Sequence, residues 1–153
     1  MSSFVNKSLQ RVVRLVTLQG TDVLHLLNTM NLFSWFPKPS PLRPESRVYD
    51  LKERLDWGEP ALSIVDIRNR ADFSASHITG AISIPAHQLL ETAHRCFEID
   101  RDLYIYGITD EEASVAAEQL RTAGYTSVSV LRGGVSAWKA AGFPVEAIPQ
   151  MVA

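Results

Sequence analysis

After residue 45 the chain alternates short apolar runs with helical patterns, and this alternation leaves few folds open. Runs at 62–67, 81–84, 103–106 and 127–131 have the length and the β-branched or aromatic content of strands. Helical patterns lie around them. A short helix capped by Asp50 runs to Leu55, and others cover 87–94, 111–123 up to Gly124, and 135–141 up to Gly142 and Pro144. Strands that alternate with helices through short connections form a parallel sheet, and the crossover helices cover both of its faces. The expected fold class is therefore α/β, with no internal repeat.

The sharpest punctuation is Pro37-Lys38-Pro39-Ser40-Pro41-Leu42-Arg43-Pro44, which holds four of the eight prolines. Proline fixes φ and biases its predecessor towards extended backbone, so residues 37–45 read as a semi-rigid linker. They separate an N-terminal extension, 1–36, from a domain at 46–147 and a tail at 148–153. The charge divides at the same place: residues 1–44 carry five basic residues and one acidic, whereas the rest carries ten basic and sixteen acidic. With a net charge of -2 over 153 residues, the chain has no general pull towards nucleic acid. Its single cysteine permits neither an internal disulfide nor a cysteine-rich zinc site.

Two helical patterns are expected within the extension. In the first, over residues 8–18, Lys7, Arg11 and Arg14 share one face opposite Leu9, Val12, Val13 and Val16. The second follows Gly20, with Thr21 as cap and Val23, Leu24, Leu27, Met30 and Phe33 in helical period before Trp35 and Phe36. A membrane span needs about 20 predominantly apolar residues. Gln19, Asp22, His25, Asn28 and Asn31 interrupt any such run, and no uninterrupted apolar core marks a secretory signal. Four uses of the extension stay open. It packs on the domain, lies on an anionic membrane surface through Lys7, Arg11 and Arg14, docks a protein through Leu24, Leu27, Met30, Phe33, Trp35 and Phe36, or directs the chain to an organelle. The expected location is cytoplasmic, with peripheral membrane attachment and organelle targeting both open.

Val65-Asp66-Ile67-Arg68, Asp72-Phe73 and His77-Ile78-Thr79-Gly80-Ala81-Ile82-Ser83-Ile84-Pro85 resemble the opening half of a rhodanese-like domain. Gly133-Gly134, Ala137-Trp138 and Gly142-Phe143-Pro144 are similar to its closing half. The resemblance runs from Ser46 to Glu146 and implies a five-stranded, mostly parallel sheet with helices on both faces. It also implies that the strand at 103–106 leads into a loop that begins with a catalytic cysteine and follows the pattern cysteine, four residues, arginine. In active members that cysteine carries sulfur as a persulfide. Loop N–H groups and the following helix N-terminus hold the anion.

Here the loop reads Gly107-Ile108-Thr109-Asp110-Glu111-Glu112, so its length is kept while glycine stands at the cysteine position and Glu112 at the arginine position. Glycine can neither attack nor carry sulfur, and three consecutive carboxylates oppose a thiolate. Related phosphatases use a loop one residue longer, with both cysteine and arginine, and this chain has neither. Thr109 and Glu112 also fit a capping box, in which Thr109 accepts from the Glu112 N–H and Glu112 reaches back to the Thr109 N–H. The anion site is thus expected to be plugged by the protein's own carboxylates. The loop serves either as an ordinary helix start or as a re-purposed site for a cation or a basic partner segment.

The other candidates are supporting residues. Asp66 and Arg68 follow a strand at the sheet end where α/β sites lie, and a bracing ion pair is expected of them. Arg132 is placed to pair with the acidic loop, and Gly133-Gly134 forms either an anion-binding turn or a plain tight turn. His77 is expected to bond backbone. The histidines at 25, 77, 87 and 94 show no ligand spacing, so neither metal nor cofactor is expected. The functional expectation is a non-catalytic binding, scaffold or regulatory module with a protein partner, docked to a complex or a membrane through its N-terminal helices. The alternative is an active sulfurtransferase that uses Cys96, beside His94 and Arg95, or a partner's thiol.

Overall fold

The computed structural model describes residues 42–58 and 61–149. In chain order the elements are β1 (Glu45–Ser46), α1 (Val48–Asp56), β2 (Leu62–Asp66), α2 (Arg70–Ala75), β3 (His77–Ile78) and β4 (Ile82–Ser83). A 3₁₀ turn (Ala86–Gln88) then precedes α3 (Leu89–Cys96), β5 (Asp102–Tyr106), α4 (Asp110–Thr122), β6 (Val128–Leu131), α5 (Gly134–Ala140) and β7 (Val145–Glu146). The main sheet has five strands in the order β1-β6-β5-β2-β4, and every pairing in it is parallel. β3 and β7 form a separate antiparallel pair.

Successive side chains of a strand point to opposite faces of its sheet, and β5 shows what this does to the core. Leu103 and Ile105 face α3 and α4, in a cluster with Val65, Leu89, Ala93, Ala113, Ala116, Ala117 and Leu120. Tyr104 and Tyr106 face the other way, towards α1 and α5, with Val48, Leu51, Ile64, Val135 and Trp138. Each face is thus closed by two helices, as the resemblance implied. The α4 contribution is three alanines and a leucine, which lets this helix lie close against β5. Trp138 is buried, and its indole N–H donates to the Pro144 carbonyl at 2.8 Å, satisfying the one polar atom it carries inside.

Several local expectations need correction. Asp50 is not the cap residue of α1; Arg47 holds that position, and Asp50, inside the first turn, accepts from the Arg47 N–H at 3.0 Å. The pattern at 87–94 is split between the 3₁₀ turn and α3, and the apolar run at 81–84 yields only the two paired residues of β4. Helix α2 lies where no helix was expected, with its N-cap Asn69 accepting from the Asp72 N–H at 2.8 Å.

Candidate functional site

β2, β5 and β6 run in parallel, so the segments that leave their C-terminal ends meet at one edge of the sheet. These are Asp66–Arg68 from β2, the loop 107–112 from β5 and the turn 132–134 from β6. They enclose a cavity of about 340 Å³ lined by Arg68, Asp72, Gly107, Ile108, Gly133, Val135 and Ser136.

Two of the loop's N–H groups, those of Ile108 and Glu112, are taken by side chains of the loop itself. Thr109, the N-cap of α4, accepts from the Glu112 N–H at 3.2 Å through its hydroxyl. Glu112 folds back in turn, but it accepts from the Ile108 N–H at 3.1 Å and not from that of Thr109. The capping box is therefore displaced by one residue, and the displacement carries the carboxylate into the space beside Gly107. A Cβ on Gly107 would lie 2.9 Å from Glu112 Oε2 and 3.2 Å from Ile67 Cγ1. The volume that a side chain at 107 needs is filled by Glu112.

Asp110 does the same for the neighbouring turn. Its Oδ1 accepts from the Gly133 N–H at 2.8 Å, and its Oδ2 lies 3.8 Å from Arg132 Nε. Arg132 also reaches Glu45 at 3.4 Å. Gly133 adopts φ 72°, a left-handed conformation that glycine accepts without strain. The turn therefore binds an anion, and that anion is a side chain of the same protein. Arg132 is 62% exposed, so its two ion pairs contribute little beyond orientation.

Arg68 is held from below. Its guanidinium makes a two-point contact with the fully buried Asp66, with Nε 2.9 Å from Oδ1 and a terminal nitrogen 2.6 Å from Oδ2. The same terminal nitrogen donates to the Ser76 carbonyl at 2.8 Å. Burial works against the Arg68 charge, but the hydrogen bonds and charge of Asp66 outweigh it and hold the guanidinium above its ordinary pKa. Tyr106 lies beneath, with its hydroxyl accepting from the Ile78 N–H at 3.3 Å. Burial, and next the bond to Asp66, push that hydroxyl well above the usual tyrosine range. Sequence reasoning missed Tyr106 as the floor of this cluster; its place as the last strand residue before the loop was the available signal.

The remaining candidates lie elsewhere. Cys96 is exposed and ends α3, on the approach to the N-terminal end of β5. It lies near enough to Tyr125, which precedes β6, to raise that hydroxyl's pKa after the larger effect of burial. β5 is five residues long, about 16 Å at 3.3 Å per residue, so the thiol and the loop belong to opposite ends of the sheet. His77 Nδ1 donates to the Phe73 carbonyl at 2.8 Å while its ring stacks on Phe73. Among the described residues no three His, Cys, Asp or Glu side chains gather where they could hold a metal. Lys7, Arg11, Arg14, Leu24, His25, Leu27, Met30, Phe33, Trp35 and Phe36 lie outside the described residues.

Residues 47–141 match the family profile described as a rhodanese-like domain, well over half of the chain. The chain belongs to the rhodanese-like family. Among solved structures, it resembles the rhodanese-like domain of the Alr3790 protein from Anabaena sp. at 44% identity, covering 72% of this chain and 85% of that one with a TM-score of 0.67. It resembles the thiosulfate sulfurtransferase of Pseudomonas aeruginosa at 28% identity and a TM-score of 0.62, over 69% of this chain and 20% of that one. A protein named sulfurtransferase from Allochromatium vinosum is 36% identical over 99 residues, which are 63% of this chain and 89% of that protein. An uncharacterized protein of Synechocystis sp. is 34% identical over 86 residues, 56% of this chain; the chain spans about half of that protein's length, 48%. Among the described residues of this rhodanese-like chain, no helix is long and apolar enough to cross a membrane.

Cysteine restored at position 107 of this rhodanese-like chain must displace the Glu112 carboxylate from the Ile108 N–H. Gly107→Cys alone is expected to cost about 1–2 kcal/mol, the scale of a lost cap plus mild overpacking. The new thiol should also titrate above the ordinary cysteine value of about 8.5, because a carboxylate beside it disfavours the thiolate. Gly107→Cys with Glu112→Ala should recover packing and lower the thiol's pKa relative to the single variant. Urea unfolding and the pH dependence of iodoacetamide alkylation, in a Cys96→Ser background, read both effects. Equal thiol titration in the single and double variants would show that Glu112 does not occupy this space.

Proposed function

We propose that this rhodanese-like protein is a non-catalytic binding module, in which the family's loop serves recognition instead of sulfur transfer. The observation that carries the reading is the Glu112 carboxylate, which lies beside Gly107 and takes the Ile108 N–H for itself. A persulfide site needs a nucleophile and free N–H donors facing it. Residue 107 supplies no nucleophile, and Glu112 and Asp110 take the donors of Ile108 and Gly133. What remains outward is Ile108, 68% exposed, among carboxylates of the first α4 turn, a surface suited to a basic partner segment. Residues 1–36, with their basic and apolar faces, are proposed to attach the module to a protein complex or to an anionic membrane surface.

The alternative, sulfur transfer through Cys96 or a partner's thiol, draws some support from the Allochromatium relative's name. It is weakened by the place of Cys96 at the C-terminal end of α3, the helix end that disfavours an anion. A thiosulfate:cyanide assay on the full-length protein decides between the non-catalytic reading and transfer through Cys96. The expected rate is indistinguishable from the rate without protein, in wild type and Cys96→Ser alike. Turnover in the wild type that disappears in Cys96→Ser would overturn the non-catalytic reading.

A further inference from the structure

Beside the loop, and separate from the 340 Å³ cavity, a groove of about 460 Å³ runs between the Ala86–Gln88 turn and α4. Its lining is Ala86 and His87 on one side and Glu112, Val115, Ala116 and Gln119 on the other. The four α4 residues are spaced i, i+3, i+4 and i+7, so they form one stripe along a helix, about 10 Å long at 1.5 Å per residue. The stripe is graded: a carboxylate at one end, Val115 and Ala116 in the middle, a neutral amide at the other. Val115 is 62% exposed although its neighbours Ala116 and Ala117 are buried in the core.

We propose that this groove receives an amphipathic helix of a partner protein, with aliphatic side chains on the exposed Val115 and Ala86 and a lysine or arginine at the Glu112 end. The inference rests on the non-catalytic reading and names the partner's chemistry. Charge complementarity decides the occupant. Glu112 is the one charged residue that lines the groove, and Asp110 and Glu111 stand beside it in the first turn of α4. Glu112 gives one oxygen to the Ile108 N–H, but a carboxylate has about four acceptor sites and keeps capacity for an incoming cation. An acidic segment would be repelled at that end. A short helix that lays an apolar stripe into a groove, with its cations at the acidic rim, is an established mode of peptide recognition.

The test titrates isotope-labelled full-length protein with an amphipathic leucine–lysine peptide of about 14 residues, long enough to present two helical turns. The proposal expects amide shifts concentrated at Ala86, His87, Val115, Ala116 and Gln119. It expects Glu111→Gln to weaken binding and Val115→Asp to weaken it about tenfold or more, the size of a lost anchor. Val115→Asp is the decisive variant, because it adds negative charge: attraction by charge alone would make it bind tighter. Circular dichroism confirms that this exposed substitution keeps the fold. Shifts scattered over the acidic surface, unchanged or tighter binding by Val115→Asp, or a Val115-dependent self-association that excludes the peptide would each overturn the proposal. Sulfur transfer in the assay above would remove the underlying reading; an inactive protein that fails this titration removes the groove alone.

Discussion

Arg68→Ala is expected to destabilise the protein by about 3–5 kcal/mol, the cost of leaving one partner of a buried ion pair uncompensated. Asp66 is 0% exposed, and the two-point contact with Arg68 is its cationic partner. The deletion also frees the Ser76 carbonyl, which Arg68 ties to the end of β2 across helix α2. The backbone N–H of residue 68, 3.0 Å from Asp66 Oδ1, survives the substitution and offsets a small part of the loss. Adding Asp66→Asn should return part of the stability, because the amide puts no uncompensated charge in the interior. Urea denaturation reads both effects. A loss below about 1 kcal/mol would show that water reaches the pair and that it behaves as a surface salt bridge.

Gly133→Ala follows in size, at about 2–5 kcal/mol. Two costs combine: a left-handed conformation in a residue with a Cβ costs about 1–2 kcal/mol, and forced overpacking about 1–3 kcal/mol. Gly133 sits at φ 72°, and its added Cβ would lie 2.6 Å from the Cβ of Ala137. A second variant separates the terms. Gly133→Ala with Ala137→Gly removes the clash but keeps the backbone strain, and it adds about 1 kcal/mol for glycine within a helix. The double variant should therefore recover less than the clash alone costs. Thermal unfolding measures both. A single variant as stable as wild type would mean that the turn relaxes out of the left-handed region, and the bond from its N–H to Asp110 would go with it.

The parts of the fold legible in the sequence were those whose pattern repeats. Leu103-Tyr104-Ile105-Tyr106 reads as a strand because four apolar residues alternate between two buried faces, and the strand begins only one residue earlier, at Asp102. Helix α4 announces itself through Thr109 and Gly124 at its ends and Ala113, Ala116, Ala117 and Leu120 between them. The elements that escaped are too short for a period. β1, β3 and β7 have two residues each, and long-range pairing, which local pattern does not carry, forms them. Helix α2 is six residues with Phe73 alone buried, so no apolar stripe marks it. At the site, residue identities were enough to read glycine at the family's cysteine position and a Glu112 that folds back towards the loop start. They did not reveal which N–H Glu112 takes. That choice depends on backbone direction at Ile108, and it decides whether position 107 is open or filled.

Glu112 has a consequence in terms of concentration. A carboxylate joined to its acceptor site by four residues of chain competes there as a tethered ligand, with an effective concentration in the millimolar range or above. A dissolved anion drawn to the Ile108 N–H meets a rival that never diffuses away. A weak anion binder at micromolar levels is outcompeted at that N–H.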